Sequence, residues 1–578
     1  MSVFRTVITS IIVVFCITLQ TVAKISYAEN YNAPKQLKYT FTYFNKNDKS
    51  TLNVLLEFTG RQEKETIIEL PSQYGGINEL YKNITDIQVI GATIEKTNTP
   101  ALLTLYHAPS SKIILSYNVR QSWDGPLSNF DNFLAPIFQK NYFQFIGNGI
   151  LIYPQSYKNE SSNLKWVFDW NVPNGWKVAN SYGTNNLHQE FFASFNDVIN
   201  SLFLSGKFTL SQTHIVGGDV WSAIRGKWPF QEEVFNKIVA NIINNEREFW
   251  NDNDSPHYLI SLIPIKTNKT GMVGTGLTNG FATALKSNYF PNYPMWSVIS
   301  HEAFHQWNSP DIFDVTDKGN QVYYYWFTEG FTDYYADLLN LRIGLILLPD
   351  YIKEYNEMLV NYFSSPAKAS TIEEVKENFW GNFAVEKLPY QQGKILAHNW
   401  NAFIKNKTNN QQSLDNLMRD IVLFSKEHSK LNLEKMNDIA SKYRKENLID
   451  DIHHIYFGDP VNPDEHSLGP CVYQITKMLA PYNPGFDVYT SKEKHVITSV
   501  DLNGKAFSAG LRDKQILISI EEHPDDISKK IRITVKEEQA IKIITYYPYQ
   551  EKLLPIKQFV LDKSKWETNP DECLAWFK

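Results

Sequence analysis

The sequence predicts a multidomain α+β protein: a β-sandwich-like domain, then a mixed region with a helical extension, then a small β-rich domain. Three observations predict it. Apolar residues alternate with period two over about the first third of the chain, recur at helical spacing through the middle, and return to period two after a turn-rich linker. At 578 residues the chain exceeds what one hydrophobic core serves. Its 43% hydrophobic and 20% charged residues are those of a globular protein, and 14% aromatics favour strands and large buried side chains. A net charge of -6 is small for this length, so neither nucleic acid nor an anionic membrane surface is an expected partner.

Residues 1–28 read as a secretory signal. Arg5 supplies the positive region, Val7 to Leu19 the apolar run, and cleavage sites follow Ala23 or Ala28. The run is too short for a comfortable membrane span, so no stable membrane insertion is expected after cleavage. Cys16 reads as an ordinary apolar position in it. A secreted or periplasmic location follows.

Residues 29–195 form the expected N-terminal β domain. Leu37–Tyr43, Leu52–Phe58, Ile113–Val119 and Leu164–Trp170 carry alternating or near-alternating strand patterns, separated by Gly, Asn, Pro and Ser clusters.

Residues 196–457 form the mixed domain. Phe195 to Leu204 and Pro229 to Trp250 read as helices, and His257–Ile263 as a strand. Gly271 to Gly280 is rich in glycine. It is either a bulged edge strand that another backbone approaches or a plain loop. Pro294 starts a helix that runs to about Trp307, where Asn308-Ser309-Pro310 stops it. A second helix runs from Trp326 to about Leu341. Amphipathic stretches follow near 350–361, 371–378, 391–405, 412–426 and 433–444.

After the linker Gly458 to Asp464, residues 465–578 form the last domain, with strands near Val496–Val500, Gln515–Ile520, Lys530–Lys536 and Ala540–Tyr547. Of three cysteines, Cys471 and Cys573 flank this domain. They either pair in an oxidising compartment or stay free.

The chemistry centres on His301-Glu302-Ala303-Phe304-His305. Histidines four apart on a helix project from one face, so their imidazoles can share one metal ion, and zinc suits that donor set. A catalytic zinc needs a third ligand and an open position. Glu329, at the start of the next helix, is the best candidate; Asp311, Asp314 and Asp317 in the intervening loop compete. Metal-bound histidines donate their second nitrogen to a carboxylate or carbonyl. Asp333, one turn after Glu329, and Asn308 are the candidates. Glu302 suits a general base that takes a proton from the attacking water and passes it to the leaving amine.

His301-Glu302-x-x-His305-x-Trp307-Asn308, followed by Trp326-Phe327-Thr328-Glu329-Gly330-Phe331-Thr332 and Tyr334-Tyr335, resembles the glycyl aminopeptidase family of gluzincin zinc metallopeptidases. That resemblance implies a thermolysin-like catalytic domain, one zinc ion and peptide or protein substrates. Tyr390-Gln391-Gln392-Gly393 is similar to the Tyr-x-x-Gly segment of this family, whose tyrosine hydroxyl stabilises the oxyanion; Tyr390 takes that role by resemblance. Gly276-Leu277-Thr278 is similar to the substrate-binding edge segment, but Thr278 stands where the amine-binding glutamate belongs. A neutral hydroxyl cannot form that ion pair. The domain order also implies a C-terminal PDZ-like domain, with Gly485 and Phe486 in a loop that would take the carboxylate of a peptide ligand.

The leading expectation is a secreted zinc metallopeptidase, aminopeptidase-like, with Glu302 as base. The first competitor is a zinc endopeptidase without free-amine selectivity. The second is a PDZ-containing peptide-binding protein with weak or no catalysis.

Overall fold

The computed structural model describes residues 35–578, except 47–48, 159–163, 256, 268–271, 316–317, 381, 429, 444–447, 524–526, 539 and 550–552. The expected signal at 1–28 lies outside the described residues. The chain divides into two compact units: the first runs to Phe208 and takes in Ile265–Thr267, and the second is the rest.

The first unit is built on a six-stranded sheet. Its strands are β1 (Gln36–Lys46), β2 (Lys49–Thr59), β3 (Ile84–Ile90), β4 (Lys112–Val119), β5 (Leu164–Asn171) and β6 (His188–Ala193). The order is β6-β5-β1-β2-β4-β3, with β1 and β5 parallel. Leu37, Tyr39, Phe41 and Tyr43 point inward from β1, and Tyr39 lies opposite Leu56 and Phe168. A one-residue slip would turn this whole row to water, so the alternation pins the register. A five-stranded and a four-stranded sheet contribute to the same core through Phe143, Phe145, Phe203, Ile68 and Leu105.

The expected end of this domain at residue 195 moves to Phe208. Phe195 to Leu204 is not one helix: the helix is Phe195–Ile199, and Leu202–Gly206 is a strand paired with Tyr142–Ile146 and Lys177–Asn180. All five residues of that strand are buried, and such a continuous apolar run does not reveal its period.

The second unit opens with a five-stranded sheet of β7 (Thr209–Ile215), β8 (Gly218–Ile224), β9 (His257–Ile265), β10 (Met272–Leu277) and β11 (Gly280–Lys286), in the order β7-β8-β9-β11-β10. The glycine-rich segment is thus an edge strand. Helices α1 (Glu232–Trp250) and α2 (Tyr293–Phe304) share one core with this sheet, where Phe235, Val239, Met295 and Ile299 meet Ile260, Leu262 and Phe281.

A helical layer follows, including α3 (Tyr325–Thr328), α4 (Gly330–Arg342), α5 (Leu348–Ser364) and α6 (Leu388–Lys407). Helix α6 begins at Leu388, with Pro389 in its first turn. It crosses α3 and α4 at a glycine contact. A Cβ on Gly393 would lie 1.8 Å from the Trp326 carbonyl oxygen, and one on Gly330 would lie 2.4 Å from the Gly393 Cα. Any side chain at either position would force the helices apart.

Residues 465–578 do not form one separate body. Strands β12 (Val472–Leu479) and β16 (Leu554–Leu561) pair with each other, and Asn356 of α5 bonds the Phe559 backbone N–H and carbonyl at 2.7 and 2.8 Å. Cys471 and Cys573 are disulfide-bonded, and with Val472, Phe559 and Phe577 they belong to the large helical core. The small independent core runs only from Phe486 to Tyr546, around β13 (Ile516–Glu521), β14 (Ile531–Glu537) and β15 (Ala540–Tyr546). The expected strand at Val496–Val500 is absent apart from a single bridge between Val496 and Ile516, because Ser499 takes φ +57° and breaks the extended run.

Candidate active site

Helix α2 carries His301 and is followed directly by His305, and its other face is apolar: Met295, Ile299, Ala303 and Phe304 are fully buried. The helix ends at Phe304 rather than near Trp307. Gln306 and Trp307 donate to the carbonyls of Ala303 and Phe304, which tightens the last turn. The tightening brings the Asn308 carbonyl within 3.0 Å of His305 Nδ1. Asp333 Oδ1 lies 2.7 Å from His301 Nδ1. With both Nδ1 atoms donating, both Nε2 atoms present lone pairs to the same point.

Glu329 sits at the junction of α3 and α4, and its Oε2 lies 3.3 Å from each of His301 Nε2 and His305 Nε2. The two Nε2 atoms are 3.1 Å apart. Ligands about 2.0–2.1 Å from a tetrahedral zinc lie about 3.3 Å from one another, so this triangle fits zinc. His301, His305 and Glu329 form the one such cluster among the described residues. Their side chains are 12%, 21% and 12% exposed, buried enough to be fixed yet open on one side. Asp311 and Asp314 are exposed and outside the cluster, and Asp317 lies outside the described residues.

The electrostatics match this arrangement. Burial alone would raise the Glu329 carboxyl, but the attraction and hydrogen bonds of His305 and His301 outweigh it and hold it well below the usual carboxylate range. Burial would lower His301, but hydrogen bonds with Asp333 and Glu329 outweigh it and push the imidazole well up. A metal at this point therefore competes with a proton for the His301 imidazole.

Asn308 does more than stop a helix. It is fully buried, and its Nδ2 donates to the Phe327 carbonyl at 3.2 Å and to Thr332 Oγ1 at 3.0 Å. These bonds tie the end of α2 to α3 and α4, and so tie His305 to Glu329. Trp307 donates to Asp252 Oδ2 at 2.8 Å, a partner 55 residues back that no spacing rule could have indicated.

Glu302 points toward the edge strand, where its Oε2 accepts from the Gly276 N–H at 2.7 Å. A Cβ on Gly276 would itself lie 2.7 Å from that oxygen, so only glycine lets the strand approach this closely. Tyr390 enters from the other side on α6, its ring stacked on His301 with centroids 5.9 Å apart. Burial, then the carboxylates of Glu329, Asp333 and Glu302, push its hydroxyl well up, so it stays a proton donor.

Leu277 turns away from the site, and Gly485 and Phe486 lie in the small C-terminal part. Leu277 is buried, since the strand alternation turns its side chain away from the face Gly276 shares with Glu302. Gly485 donates its N–H to Asn483 Oδ1, and Phe486 is packed into the small core. The chain then continues as helix α7 (Val488–Lys494), capped by Asp487, rather than as a strand a peptide could extend. Thr278 lies with Asn279 in the turn between β10 and β11, and neither carries a charge.

The family model of M61 glycyl aminopeptidase matches residues 295–414, which hold all three candidate ligands, Glu302 and Tyr390. This segment is similar to the glycyl aminopeptidase family. The chain is accordingly a zinc metallopeptidase, and the reading as a binding protein without catalysis falls away. Among solved structures it is similar to an aminopeptidase N family protein from Idiomarina loihiensis. The identity is 15% and the TM-score 0.69, over 94% of this chain and 100% of that one, so the likeness concerns the fold. An M1 zinc metallopeptidase from Deinococcus radiodurans is similar at 13% identity, over 74% of this chain and 94% of that one. Its TM-score of 0.47 is too loose to carry weight. No curated protein matches the chain.

Replacing Asp333 with Ala should weaken zinc binding about 10–100-fold, because His301 loses the partner that orients its ring. Competition with a chromophoric chelator measures it, and wild-type affinity would contradict the assignment.

Proposed function

We propose that this zinc metallopeptidase holds one zinc ion on His301, His305 and Glu329 and uses Glu302 as general base. The carrying observation is the 2.7 Å hydrogen bond from Gly276 N–H to Glu302 Oε2. It aims the carboxylate at the gap between the edge strand and the ligand triangle while leaving its second oxygen available. Zinc, when bound, supplies Lewis acidity that polarises the scissile carbonyl and makes water a better nucleophile.

Glu302 takes a proton from the attacking water as its oxygen bonds to the carbonyl carbon. It returns that proton to the nitrogen as the C–N bond breaks. The Tyr390 hydroxyl donates to the oxygen on which negative charge develops. The backbone of β10 lies beside Glu302 at the sheet edge, where an extended peptide can pair as one more strand.

A second reading has its own observation. Thr278 and Asn279 place no carboxylate at the turn after Gly276, so an ion pair with a free α-amine is missing there. The enzyme then cleaves internal or blocked peptides as well as free amino termini. Export through the segment at 1–28 is also proposed, and the Cys471–Cys573 disulfide supports it, since such bonds persist in oxidising compartments. The small C-terminal core is PDZ-like by resemblance only.

A Glu302→Gln variant keeps the hydrogen bond to Gly276 but cannot take a proton. It should retain its zinc and lose kcat by about 10²–10⁴-fold. Near-normal turnover would refute Glu302 as base. A panel of matched free and N-acetylated peptides separates the two substrate readings. Comparable kcat/KM for both forms is expected from Thr278, whereas cleavage of the free form alone would show that another group holds the amine.

A further inference from the structure

Each of the three helices that meet at the site carries a second polar residue one turn from its site residue. Ser297 precedes His301 by four on α2, Asp337 follows Asp333 by four on α4, and Lys394 follows Tyr390 by four on α6. Residues at that spacing lie on one helix face. The second set converges as the first does. Asp337 Oδ1 accepts from Ser297 Oγ at 2.8 Å and from the Tyr293 hydroxyl, and Asp337 Oδ2 is ion-paired with Lys394. Asp337 is 6% exposed and Lys394 8%, so this carboxylate joins α2, α4 and α6 away from bulk water.

Such a buried pair adds little net stability over an apolar replacement, because desolvation offsets the attraction. What it supplies is geometry. The contact at Gly330 and Gly393 brings α4 and α6 close but has no directional bond to fix rotation or sliding. The ion pair does, one turn beyond the Tyr390 ring that stacks on His301. Burial would lower the Lys394 ammonium, but Asp337 and then Asp333 outweigh it and keep it charged.

We infer that Asp337 and Lys394 are positioning residues that set the rotation of α6, and with it the placement of the Tyr390 hydroxyl over the site. The inference rests on the proposed role of Tyr390. Neither residue touches the ligand triangle, so zinc content should be independent of the pair.

The test uses the full-length zinc-loaded protein and one peptide substrate. Lys394→Met alone leaves the Asp337 charge buried and unpaired, which risks unfolding. The decisive variant is therefore Asp337→Asn with Lys394→Met. It removes both charges, while an Asn carbonyl can still accept from Ser297 and Tyr293. This variant should hold one zinc and lower kcat about 10–100-fold with KM nearly unchanged, as a small misplacement of a reacting group does. In a Tyr390→Phe background the same pair of changes should cost less than about threefold, because the group they position is gone. Wild-type kcat in the double variant would overturn the inference, and so would full additivity with Tyr390→Phe. Wild-type kcat in Tyr390→Phe alone would overturn the role of Tyr390 and the positioning claim together, so the two failures are distinguishable.

Discussion

Everything in this protein depends on bringing two imidazole nitrogens and one carboxylate oxygen within 3.1–3.3 Å of one another at a partly buried point. Such groups compete for protons and resist desolvation, so without a cation they would hold this geometry only under constraint. The constraint comes from either side. Asp333 and the Asn308 carbonyl fix the rings from behind, and the Asn308 side chain pins the end of α2 to α3 and α4. The apolar face of α2 then holds the assembly against the sheet.

The catalytic groups lie on different elements for a physical reason. Glu302 shares α2 with the histidines but points at the edge strand, and the missing side chain at Gly276 lets that strand come close enough to donate to it. Tyr390 comes from α6, which reaches the site only because Gly330 and Gly393 permit near-contact of backbones. Glycines beside functional residues thus act here by steric absence. The Glu-Gly and Tyr-x-x-Gly pairs of the sequence are one crossing seen from its two helices.

Much of the site was legible in the sequence because its residues lie close along two helices. His301 and His305 lie one turn apart, and so do Glu329 and Asp333, so helical spacing alone brings each pair onto one face, while Glu302 beside His301 turns to the neighbouring face. Tyr390 was legible only through a resemblance, since spacing cannot relate positions that far apart. Partners created by packing left no local trace: Asp252 for Trp307, Ser297 for Asp337, and Asp337 for Lys394. In the fold, the alternating strands near the N-terminus read correctly because one face is buried. Leu202–Gly206 misread as helix because every residue in it is buried. The last domain misread as one body because β12 and β16, which pair with each other and join the helical core, are not among its expected strands at all.

The most direct test of the central claim is zinc stoichiometry by mass spectrometry of metals on dialysed protein, wild type beside Glu329→Ala. The account predicts one zinc per wild-type chain and loss of tight binding in the variant, because two imidazoles alone cannot supply a three-ligand site. A full zinc equivalent retained by Glu329→Ala, with wild-type affinity, would contradict it.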